Sequence, residues 1–122
     1  MTTINKIIEQ VEEIKPNVFG EEVKFGWLSQ LNGMICRIVM QQEETPELKY
    51  PDDMDKDLLV PEPYEGLYAL WLMAKIDFYN RDYDDYNNTM LMFNQMFDEY
   101  KKLYIRENMP RQAGGYKNVM MG

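Results

Sequence analysis

"LYALWLMAKIDFYNRDYDDYNNTMLMFNQMF" occupies residues 67–97, and its first thirteen residues, Leu67 to Tyr79, carry only two charges, Lys75 and Asp77. At helical spacing Leu67, Trp71, Ala74 and Phe78 form one stripe, and Tyr68, Leu72, Ile76 and Tyr79 form the next. Leu70 and Met73 make the third side apolar as well. A helix without a polar stripe must lie at the centre of its own fold or be covered by another chain.

The residues that follow define its partner. Asn80 is a helix stop and Asp82 an N-cap, with Asp85 three positions on. Tyr83, Tyr86, Met90, Phe93, Phe97, Tyr100 and Tyr104 then recur at spacings of three and four. This is a seam of about 26 residues, roughly 39 Å long. With so short a connection the two helices fold back on each other as an antiparallel hairpin.

Two shorter helices precede the hairpin. Ile4, Ile7, Ile8, Val11 and Ile14 share one face, opposite Glu9, Glu12 and Glu13, and Pro16-Asn17 closes the segment. Gly20 serves as the next N-cap, with Glu21 and Glu22 favourable in the first turn. Val23, Trp27, Leu31, Met34, Ile35 and Ile38 keep the period to about Met40. Pro63 fits the first turn of the third helix.

Between residues 41 and 62 the period vanishes. This stretch holds eight acids against two bases, with Pro46, Pro51 and Pro61, so it reads as one long acidic loop with at most a turn or two near Met54–Leu59. A connection of this length is functional or disordered, and its acids and prolines suit a segment that reaches a neighbouring subunit. The expected architecture is therefore all-α: four helices in a single domain over 1–109, the last two forming the hairpin, and a flexible tail over 110–122 marked by Gly114-Gly115.

The chain has 122 residues, a formal charge of −8, no histidine and one cysteine. That length supports one core, and the 45% apolar and 13% aromatic content is that of a folded chain. Cys36 has no disulfide partner and lies in an apolar helical pattern, as a small core side chain does. Residues 106–122 carry a net +2 from Arg106, Arg111 and Lys117 against Glu107, too little for a phosphate-binding stripe, so direct sequence-specific nucleic-acid binding is not expected. No signal segment opens the chain and no apolar run reaches the length of a bilayer span, which points to the cytosol and away from membranes.

Catalytic constellations are scarce. Without histidine the usual Ser or Cys triad has no base, and there is no glycine-rich phosphate cradle. Asp53, Asp55 and Asp57 match positions 1, 3 and 5 of an EF-hand loop, but position 6 is Leu58 where Gly makes the turn, and position 12 is Tyr64 where Glu should chelate. Asp77, Asp82, Asp84 and Asp85 lack a histidine or second cysteine for a transition-metal site, and Asp82 and Asp85 already start a helix. No cofactor and no catalytic residue is expected. The eleven methionines suit either core packing or a partner surface that repacks.

"GWLSQLNGMICRIVM" (26–40), followed by "LLVPEPYEGLY" (58–68) and "YNNTMLMFNQMFDEYKK" (86–102), resembles a group of small proteins encoded among the virion genes of tailed phages and prophages of Gram-positive bacteria. The resemblance runs roughly from Gly26 to Pro110. Such proteins look like head-completion or head-to-tail connector proteins, helical subunits that assemble as a ring beneath the portal. It implies a non-enzymatic role in the virion, after synthesis in the host cytoplasm. The implied partners are copies of the chain itself, the portal and a tail-side protein.

On this reading Trp27, Leu70, Trp71 and Tyr79 contribute to a subunit interface, while Asp53, Asp55, Asp57, Arg111, Tyr116 and Lys117 reach partners. The alternatives are an acidic phage regulator of a host protein, a DNA mimic whose complex weakens steeply with salt, and an enzyme, which would need convergent titratable groups in a concave site.

Overall fold

The computed structural model describes residues 1–108 and is all-α. Helix α1 spans Ile4–Ile14, α2 spans Glu21–Met34 and runs on through a π-helical turn at Ile35–Val39, α3 spans Gly66–Tyr79 and α4 spans Tyr83–Asn108. The tail expected over 110–122 lies outside the described residues.

The apolar α3 is the central element. It packs against α1, α2 and α4, and Leu67, Tyr68, Leu72 and Ile76 are fully buried. Its partner α4 lies antiparallel to it across a tight turn. The turn is a Schellman motif: the Asp82 amide donates to the Asp77 carbonyl at 2.9 Å and the Arg81 amide to the Phe78 carbonyl at 3.1 Å, satisfying two orphan carbonyls at the end of α3. Asn80 keeps right-handed helical dihedrals, and Arg81 takes the left-handed conformation, with φ 64°. The helix stops at Asn80, its C-cap, as expected, while the left-handed residue that turns the chain is the following arginine.

The buried face of α2 differs from the expected one. Phe25, Leu28 and Leu31 point inward, while Val23 and Ile38 are exposed. Two polar residues share the inward face. Lys24 is buried because its ammonium pairs with the Glu12 carboxylate and donates to Asn17 Oδ1 at 3.3 Å. Asn32 is buried because Tyr68 and Leu59 both donate to its Oδ1. Beyond Met34 the wider π turn shifts the phase, so that Ile35, Cys36 and Val39 face inward. Cys36 is a buried free thiol.

The acidic loop is irregular, as its composition predicts, but it belongs to the core. Met54, Leu58 and Val60 are buried in it. Its backbone also completes the start of α1. The Met54 carbonyl accepts the Asn5 amide at 2.9 Å, the Leu58 amide donates to the Thr2 carbonyl at 3.0 Å, and Thr3 pairs with Asp57 in an isolated antiparallel bridge. Thr3 itself caps α1 through Oγ1, which accepts the Lys6 amide at 3.2 Å. One of the first four amides, left without intrahelical partners at any helix start, is thus met by the loop and another by a side chain. Pro63 lies in the turn before α3, whose N-cap is Glu65.

Candidate interaction surface

The residues expected to meet partners, where they are described, separate into four groups. Trp71 is covered within the subunit: its ring packs on Phe93 at 5.3 Å between centroids and its Nε1 donates to the Trp27 carbonyl at 2.9 Å. Most of the cover on Trp71 thus comes from its own chain. Trp27 is half-buried and stacks on Tyr79, with ring centroids 5.4 Å apart and planes 5° from parallel. Tyr79 remains 53% exposed.

From this stack an aromatic surface runs around the α3–α4 turn. Phe19 meets Trp27 edge-on at 5.4 Å, Phe78 meets Tyr79 at 5.2 Å, and Phe78 contacts Tyr83 at 6.1 Å and Tyr86 at 5.3 Å. Phe78, Tyr79 and Tyr83 all keep large exposed areas. A pocket of about 150 Å³ opens beside them between Trp71, Lys75, Phe78, Tyr86 and Met90. Lys75 Nζ sits 4.9 Å from the centre of the Trp71 ring, a cation–π arrangement that keeps the ammonium at the rim.

Leu70 belongs to a second, wider surface. Here α1, α3 and α4 border an open groove of about 510 Å³ whose apolar lining includes Ile14, Leu70, Met73, Met92 and Met96. Ile14, read from the sequence as part of the α1 core face, is 60% exposed at its edge. Met92 and neighbouring Leu91 are exposed on α4. Thioethers without a fixed shape suit a surface that repacks against a partner. The sequence signal for this groove was the methionine content of α4, but the groove itself needs the register between three helices.

Two of the loop aspartates do local work through their carboxylates and the third through its backbone. Asp53 Oδ2 accepts the Lys49 amide at 2.7 Å and closes its own turn, Asp55 Oδ1 accepts from Asn5 Nδ2 at 3.2 Å, and Asp57 joins the bridge to Thr3. They tie the loop to itself and to α1. Arg111, Tyr116 and Lys117 lie outside the described residues. Among the described residues no helix is long and apolar enough to cross a membrane.

One acidic group converges. A carboxylate oxygen from each of Asp77, Asp82 and Asp85 lies within 4.8 Å of the others. The helix-start role read from the sequence accounts for Asp82 and Asp85, since Asp82 directly precedes α4 and its carbonyl accepts the Tyr86 amide at 2.9 Å. It does not account for Asp77, which lies in the last turn of α3.

No protein-family model matches the chain, and neither a curated protein nor a solved structure matches it.

Proposed function

We propose that this chain is a non-enzymatic virion assembly subunit of a tailed phage or prophage, a head-to-tail connector that joins the portal vertex to the tail. The observation that supports the reading best is the groove between α1, α3 and α4, apolar and rich in methionine. The subunit buries Leu67, Tyr68, Leu72 and Ile76 of its central helix itself, and leaves Leu70 and Met73 of the same helix facing this groove. An apolar surface of this kind marks a protein contact, and a second copy of the chain is the occupant a ring requires. The exposed aromatics of the α3–α4 turn supply a second face, and two different faces are what a heterologous, ring-closing contact needs. The sequence resemblance gives the biological setting.

The rival reading as an acidic regulator or DNA mimic draws less support, because the carboxylates of Asp53 and Asp55 have structural partners within the subunit. The decisive measurement is mass by light scattering over a wide concentration range, first alone and then with the portal protein encoded nearby. One closed higher-order species, or capture by the portal, is the expected result. A monomer indifferent to the portal overturns the proposal.

A further inference from the structure

Asp77 is 1% exposed. Its Oδ1 accepts from Lys15 Nζ at 2.6 Å, while its Oδ2 is buried with no hydrogen-bond partner. An ionised oxygen out of water needs a donor or a cation. Its place also works against it, since the last turn of a helix presents the negative end of the dipole. Lys15 supplies one positive charge, and the Schellman turn sets Asp82 and Asp85 beside Asp77, leaving the group of three carboxylates and one ammonium with a formal surplus of negative charge.

We propose that Asp77, Asp82 and Asp85 bind a hard divalent cation of the Ca²⁺ class. The donor set is all oxygen, which selects against soft metals. Magnesium demands near-ideal octahedral geometry and gives up its waters reluctantly, whereas calcium accepts irregular and flexible oxygen shells, so three carboxylates from a turn, completed by water, suit calcium better. Three carboxylates supply part of a shell of about 6–8 oxygens and water supplies the rest, as in weak sites with dissociation constants of about 10⁻⁴–10⁻³ M. The bound ion would tie the end of α3 to the start of α4. This inference does not depend on the connector reading.

The test uses the full chain stripped with a chelator and titrated with Tb³⁺, whose emission is sensitised by nearby aromatic rings such as Tyr79, Tyr83 and Tyr86. Sensitised emission displaced by Ca²⁺ more readily than by Mg²⁺ is the expected result. The double variant Asp82→Asn, Asp85→Asn leaves the buried Lys15–Asp77 pair in place, and Asn remains a good N-cap. It should weaken Tb³⁺ binding at least about tenfold, an effect that even outer-shell partners of a metal site produce. Asp53→Asn with Asp55→Asn should leave binding unchanged. Absence of sensitised emission, or emission that responds to the loop variant and not to the turn variant, overturns the proposal.

Discussion

The Tyr68 hydroxyl donates to Asn32 Oδ1 at 2.8 Å and at the same time accepts the Val60 amide at 3.1 Å. One phenol on α3 thereby joins α2 to the acidic loop inside the core. Tyr68→Phe keeps the ring and strips the Val60 amide of its acceptor. The expected loss is about 1–3 kcal/mol, the cost of a buried unsatisfied group, measured by urea unfolding of both proteins.

Burial raises the pKa of Tyr68 well above the ordinary tyrosine value. The folded state therefore holds this proton where the unfolded state has released it. Stability from this group is fully present below about pH 10 and falls by about 1.4 kcal/mol for each pH unit above it, until the folded phenol ionises. Tyr100 is shifted in the same direction, chiefly by its burial. Unfolding midpoints measured across the alkaline range should show the decline, and it should be shallower in Tyr68→Phe.

The Lys15–Asp77 pair is asymmetric. The Lys15 side chain is 29% exposed and that of Asp77 1%. Lys15→Met leaves a buried carboxylate with no cation and should cost about 3–5 kcal/mol. Asp77→Asn leaves an ammonium that water can reach and should cost clearly less. Thermal denaturation of the two variants in one buffer gives the order, and equal losses would contradict the assigned burial.

Arg81 carries a left-handed backbone, which costs a residue with a Cβ about 1–2 kcal/mol. Arg81→Gly removes that strain and adds back about 0.4–1 kcal/mol of unfolded-state entropy. A net gain of about 0.5–1 kcal/mol is expected. Chemical denaturation should show a higher midpoint with unchanged slope.

Gly26 and Gly33 lie inside α2, and a Cβ added at either meets nothing within 4 Å. Ala at each position should stabilise the subunit by about 0.5–1 kcal/mol through helix propensity alone. A loss instead, seen only at concentrations where the chain associates, would place α2 in a subunit contact.

The two long helices were legible because their signal is redundant. Leu67 to Tyr79 is apolar on every side, and the aromatic spacing of α4 leaves one partner within reach. The buried face of α2 was not legible. Two stripes compete at the same period, and the true one includes Lys24 and Asn32, whose burial depends on Glu12, Asn17 and Tyr68 from elsewhere in the chain. The π turn that shifts the stripe beyond Met34 has no local signature. The loop offered one clue, the apolar run Leu58-Leu59-Val60 amid acids, which the acidity of its surroundings outweighed. At the site, Tyr79 is exposed, Leu70 is half-buried at the edge of the groove, and Trp71 packs inside with its ring lining the aromatic pocket. The convergence of Asp77 on Asp82 and Asp85 needed the turn geometry, which assigns the left-handed residue to Arg81.

The seat of α1 is made partly by α2, through the Lys24–Glu12 pair, and partly by residues that come much later in the chain: Met54, Asp57 and Leu58 at its N-terminus, and α3 along its face. With α2 alone made, the N-terminus of α1 and the face that meets α3 are still open. The α3–α4 hairpin, held by contacts close in sequence, is the natural nucleus. The N-terminal half needs that hairpin to complete its own burial, so the seat of the first helix is finished only when the last helices are in place.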